Sequence, residues 1–101
     1  MHLVVFRNRK RADLDEPAYA TDAARTEALA MAQPGFVSFK SYLAADGEVV
    51  AISEWESENA ALSWGRHADH AGVQARGRAD YYASYTLFSC PDPRVHHFEG
   101  T

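Results

Sequence analysis

Phe36-Val37-Ser38-Phe39-Lys40-Ser41-Tyr42-Leu43-Ala44-Ala45-Asp46-Gly47-Glu48-Val49-Val50-Ala51-Ile52-Ser53-Glu54-Trp55 reads as two strands joined by a tight turn. Phe36–Leu43 and Val49–Trp55 are rich in β-branched and aromatic residues. Asp-Gly between two such runs is a strong hairpin signal, because a tight hairpin turn needs positive φ. The two strands are therefore expected to be antiparallel neighbours. Alternation places Phe36 and Tyr42 on one face of the first strand and Val37, Phe39 and Leu43 on the other. One face can cover the chain's own helices; the other then needs a partner.

Working outward from the hairpin, Leu3–Phe6 has strand composition, with Asn8 at its end. The basic run Arg7-Asn8-Arg9-Lys10-Arg11, followed by Asp13, Asp15 and Glu16, reads as a solvated strand end and loop. Pro17 marks a helix first turn with Asp15 or Glu16 at the positive end of the dipole. That helix runs to Ala32, carries a stripe of Tyr19, Ala23, Thr26 and Leu29 or Ala30, and is stopped by Gln33-Pro34-Gly35. Beyond the hairpin, Ser57 is a candidate N-cap for a second helix through Trp64, bending near Gly65 and continuing from Arg66 to Ala79. Tyr81–Cys90 is the last strand, and residues 91–101 form a proline-started tail. The order β-α-β-β-α-β specifies an α+β, ferredoxin-like fold with an antiparallel four-stranded sheet. Helices on one face leave the other open, and its aromatic surface predicts a two-fold homodimer with sheets face to face.

The 101 residues fit one domain, since chains split into separate cores only beyond roughly 250 residues. Fourteen acidic against ten Lys and Arg residues give a net charge of −4, which argues against nucleic acid because phosphate binding needs clustered positive charge. No stretch approaches the roughly 20 apolar residues of a membrane helix, and the basic run follows the short amino-terminal apolar run, the reverse of a signal peptide. The expected compartment is the cytoplasm, which the single cysteine, Cys90, also suits.

His67 and His70, at i and i+3, share a helix face beside Trp64. They are the expected general bases, since a histidine titrates near neutrality and enters an apolar pocket uncharged. A local surface role for the pair is equally open. No third ligand stands at metal-site spacing, so no metal is expected. Arg76 and Arg78 read as a solvated helix face near Asp80, and His96-His97 as part of the tail.

Several of these features together resemble the antibiotic biosynthesis monooxygenase superfamily of dimeric α+β barrels. They are Pro34-Gly35-Phe36, Asp46-Gly47, the junction Ser53-Glu54-Trp55-Glu56-Ser57-Glu58-Asn59-Ala60, Trp64 followed by His67 and His70, Gly77-Arg78 and the strand around Tyr85. The resemblance implies oxidation of an aromatic or polyketide-type phenol or quinol by O₂ without metal or organic cofactor. On it, Trp55, Trp64 and Tyr85 would wall the substrate pocket, Asn8 would hold a substrate oxygen, and His67 or His70 would move the proton. The polyketide-oxidising members carry an asparagine four residues before the tryptophan and a tyrosine six after it, where this chain has Ala51 and Ala61. The haem-degrading members supply an alternative, since Asn8 and Trp64 match two of their markers, but Gln74 stands where their iron-ligating histidine would be. A non-catalytic ligand-binding dimer, a polyketide cyclase and an isomerase are the other readings the same fold admits.

Overall fold

In the computed structural model, which describes residues 1–67 and 74–100, the elements follow in the order β1 (His2–Lys10), α1 (Glu16–Met31), β2 (Phe36–Leu43), β3 (Val49–Trp55), α2 (Glu58–Gly65), a π-helical turn (Gly77–Tyr81) and β4 (Tyr82–Pro91). The four strands form one antiparallel sheet in the order β2-β3-β1-β4. This is the ferredoxin-like α+β arrangement that the hairpin and the element order specify. Among the described residues no helix is long and apolar enough to cross a membrane.

Local chemistry sets the boundaries. Asp15 caps α1, its carboxylate accepting from the Ala18 N–H at 3.0 Å, with Pro17 in the first turn. Ser57 caps α2 in the same way, accepting from the Ala60 N–H at 3.1 Å. The hairpin closes through Ala44 N–H to the Glu48 carbonyl at 2.8 Å, with Gly47 at φ +91°.

Three boundaries differ from the sequence expectation. The strand reaches further into the basic run than expected, through Lys10, and Arg11 begins the loop. Because β1 is bonded to β3 on one side and β4 on the other, the ladder continues past Phe6. Arg7 and Arg9 find counter-ions on the hairpin, Glu48 at 3.2 Å and Asp46 at 2.7 Å. The second helix stops at Gly65, where the Arg66 N–H closes it on the Leu62 carbonyl; of the continuation expected through Ala79, residues 68–73, including His70, lie outside the described residues, while residues 74–76 are helical and lead into the π-helical turn. The last strand starts one residue later, at Tyr82, and includes Pro91, which an edge strand tolerates because its outer side has no ladder.

The assignment of faces on β2 also changes. Phe36 pairs with Trp55 and Ser38 with Glu54, so Val37 is an extra residue, a β-bulge that reverses the alternation. Phe36 and Phe39, expected on opposite faces, both turn toward the helices. The sheet's helix-covered face then reads in four rows: Phe36, Trp55, His2 and Pro91; Phe39, Ser53, Val4 and Ser89; Ser41, Ala51, Phe6 and Leu87; Leu43, Val49, Asn8 and Tyr85.

The core sits at the first of these rows. Trp55 is 1% exposed, stacks on Trp64 of α2 at 6.4 Å between ring centres and takes Phe36 edge-on at 5.6 Å. Its indole N–H donates to Ser53 Oγ at 3.1 Å, so burial leaves no polar atom of the ring unpaired. Gly35, at φ +82°, brings the end of the α1–β2 loop against α2, and a Cβ there would lie 2.5 Å from that of Ala60. Gly35→Ala is therefore expected to cost about 2–4 kcal/mol, combining left-handed strain with overpacking, read as a lowered midpoint in urea with an unchanged slope.

Candidate functional site

Between the inward rows of the sheet and the two helices lies a cavity of about 690 Å³. Its floor at one end is apolar, built from Val4, Phe6, Leu87 and the two tryptophans. The stripe on α1 closes it from above, through Tyr19, Ala23, Thr26 and Ala30. Polar groups gather at the other end, in the row of Asn8.

Asn8 is 3% exposed and lies mid-sheet, opposite Val49 and Tyr85. Its side-chain carbonyl accepts a hydrogen bond from the Lys10 ammonium. The register shift between Arg9 and Lys10 sets Lys10 opposite Tyr82. The ammonium there lies 4.9 Å from the ring centre of Tyr19 and 5.2 Å from that of Tyr82. Burial holds the Lys10 pKa below the ordinary lysine value. With the Asn8 oxygen occupied, the amide hydrogens are the part of this side chain left for a ligand.

Burial also pushes the Tyr82 hydroxyl well above the usual tyrosine range, with the neighbouring Tyr19 adding to it, and raises Tyr19 itself. Both remain neutral phenols. Phe6 packs between Tyr82 and Tyr85, each 5.3 Å away, so the aromatic rings form one continuous wall.

Beside this wall, Asp22 of α1 binds Arg76 through two hydrogen bonds of 2.8 and 3.1 Å and accepts from the Tyr81 hydroxyl at 2.5 Å. Arg76 is an exposed side chain, as the sequence suggested, and its partner is Asp22. The Arg76 hydrogen bond, then that of Tyr81, holds the Asp22 carboxyl below the ordinary carboxylate range. Arg78 lines the cavity.

The structure gathers Asn8, Trp55, Trp64 and Tyr85 around this one cavity. His67 packs its ring 5.6 Å from Trp64 and is absent from the lining. His70 lies outside the described residues. Gln74, at the position where the haem-degrading relatives would need a histidine, faces the cavity together with Asn8 and Trp64. Its amide is a poor iron ligand beside an imidazole. Among the described residues no cluster of three His, Cys, Asp or Glu side chains could hold a metal ion.

Several lining groups escaped the sequence reading, namely Tyr19, Asp22, Tyr81, Tyr82 and Ser89, as did Lys10, which bonds to Asn8 behind them. The alternation His2, Val4, Phe6, Asn8 was the available signal on β1, since two polar residues share that strand's apolar face.

Residues 1–76 match the family model described as antibiotic biosynthesis monooxygenase. The Bacillus subtilis protein YqjZ is 33% identical over 86 residues, which are 85% of this chain and 74% of that protein. Among solved structures, Rv0793 from Mycobacterium tuberculosis superposes with a TM-score of 0.79 at 18% identity, over 95% of this chain and 98% of that one. SnoaB, a cofactor-independent oxygenase from Streptomyces nogalater, gives a TM-score of 0.70 at 24% identity, over 86% and 89% of the two chains. These two likenesses are of fold.

Two outcomes are expected from the site's geometry. Because the folded Asp22 carboxyl titrates below its unfolded value of about 3.9, its pairing stabilises the fold fully above that pH and is lost as pH falls through the folded pKa. Asp22→Asn should therefore flatten the acid limb of stability against pH, measured by urea unfolding at a series of acidic pH values. Hemin added to the protein should give no sharp Soret band at one equivalent per subunit, because Gln74 replaces the imidazole; stoichiometric binding would show that another side chain ligates iron.

Proposed function

The chain belongs to the antibiotic biosynthesis monooxygenase family, and from that premise we propose that it oxidises an electron-rich phenol or quinol of aromatic or polyketide type with O₂, without metal or organic cofactor. The observation that carries the proposal is a largely apolar cavity with one buried amide, Asn8, whose carbonyl is already engaged by Lys10. A volume of about 690 Å³ suits a small polycyclic aromatic. Trp55, Trp64 and Tyr85 supply flat walls, and the Asn8 amide donates to the substrate oxygen as negative charge grows on it.

In this reading the substrate hydroxyl loses its proton and the electron-rich ring passes one electron to O₂. The radical pair then joins through a new C–O bond at the ring carbon para to that oxygen. The peroxide O–O bond breaks as that carbon loses its hydrogen, which leaves with the hydroxyl proton and the second oxygen atom as water, so one oxygen enters the product and no external reductant is consumed. Excluding water from the cavity protects the carbanion from simple reprotonation. A histidine takes the first proton in this proposal, with His67 and His70 as the pair suggested by the sequence.

The proposed assembly is a cytoplasmic homodimer. By alternation, Val5, Ile52 and Phe88 stand in register on the sheet face away from the helices, beside Tyr42, with Phe88 44% and Tyr42 51% exposed. Packing this face against its copy would cover it. Sedimentation at micromolar concentration is expected to give a dimer, and replacing Phe88 and Ile52 by lysine to give a monomer.

Oxygen uptake with anthrone-type and dihydroxyphenol substrates tests the chemistry. Asn8→Ala is expected to lower kcat about 10²–10³-fold, as loss of one donor to a developing oxyanion does. No uptake by the wild-type protein with any of these substrates would sink the oxygenase reading and favour a ligand-binding role.

A further inference from the structure

A phenol inside an apolar cavity stays neutral unless a proton acceptor is connected to it, because burial disfavours the charged form. The groups of the cavity's polar end do not serve: Tyr19 and Tyr82 are neutral phenols with raised pKa values, and Lys10 is committed to Asn8. His67 packs its ring against Trp64 and is not among the residues that line the cavity. His2 reaches the cavity wall through a hydrogen bond. It is 1% exposed and sits on the inward face of the central strand next to Trp55. Its Nε2 lies 2.8 Å from the Oγ of Ser89, and Ser89 lines the cavity. Its Nδ1 is buried with no hydrogen-bond partner among the described residues.

From this geometry we infer that Ser89 and His2 form a proton relay, in which the Ser89 hydroxyl meets the substrate and His2 is the positioning residue that finally holds the proton. In the tautomer with hydrogen on Nδ1, the Ser89 hydroxyl donates to Nε2 and its lone pairs are left for a substrate hydroxyl. Proton transfer then runs in two linked steps. The substrate O–H proton passes to Ser89 Oγ while the Ser89 hydrogen passes to His2 Nε2. The substrate keeps the electron pair as phenolate, and the ring becomes imidazolium. The phenolate and imidazolium form together as a pair, so their mutual attraction offsets part of the cost of creating each charge away from water. Because no carboxylate among the described residues holds Nδ1, the pair differs from an acyl-transfer triad with its orienting third group. Ser89 shares its row with Val4, Ser53 and Phe39, and the Ser53 hydroxyl already accepts from the Trp55 indole.

The inference rests on the phenol-binding reading of the cavity, and a probe that is yellow only when ionised separates the two. 4-Nitrophenol is bound to the protein at a pH where the free probe is half ionised; quenching of tryptophan emission reports binding, and visible absorbance reports ionisation. Bound to the wild-type protein, the probe is expected to be mostly phenolate. In Ser89→Ala and His2→Gln it should still bind but lose more than half of the phenolate band, while Ser89→Thr, which keeps a hydroxyl, should restore it. Oxygen uptake should fall about 10²–10⁴-fold in Ser89→Ala. Ser89 lies exposed on an edge strand, so its alanine variant keeps the test decisive even if the buried His2→Gln does not fold. An unchanged phenolate band in Ser89→Ala overturns the relay and leaves the cavity assignment standing. Failure of the wild-type protein to bind the probe overturns both.

Discussion

Hydrogen bonding along both sides of β1 is the constraint on which the rest of this molecule depends. A strand bonded on one side can slip or fray; one bonded on both cannot move without breaking two ladders. The inward positions of β1, His2, Val4, Phe6 and Asn8, are therefore held at fixed heights and spacing. Each heads a row that continues onto β3 and β4, so the cavity floor inherits its order from this one strand. Polar residues occupy the two ends of the strand and apolar ones its middle. A bound molecule would thus meet the Asn8 amide at the polar end and, set into the apolar floor beside Val4, the hydroxyl of Ser89 backed by His2.

Much of the fold was legible because its signals are local. Asp46-Gly47 needs a turn whatever surrounds it, Ser57 and Asp15 are caps by their own chemistry, and β2 and β3 carry strand composition from end to end. What was not legible depends on partners distant in sequence. Arg7 and Arg9 read as a strand end and loop until Glu48 and Asp46 come opposite them, and Arg76 carries no sign of its partner until α1 brings up Asp22. The bulge at Val37 has no signature in composition, because only the pairing with β3 reveals that a residue is surplus.

The candidate site divides along the same line. Asn8, Trp55, Trp64 and Tyr85 could be named because family resemblance points to their positions, and all four line the cavity. Tyr19, Tyr82 and Lys10 could not, since their significance is mutual: a cation between two rings exists only once the end of β1, the start of β4 and α1 have met. His2 lies one residue before the stretch of strand composition, and its burial follows from its place on the inward face of the central strand, paired with Trp55.

The bulge carries a further consequence. If β2 were paired without it, keeping Phe36 opposite Trp55, the wall now made by Phe39 and Ser41 would be made by Ser38, Lys40 and Tyr42. The same eight residues thus encode two different linings, one apolar and one bearing a cation and a phenol. Which of them a ligand meets is decided by register and not by residue identity. Relatives that gained or lost a single residue near Val37 could therefore have exchanged the polarity of their cavities in one step, with every side chain of the strand conserved.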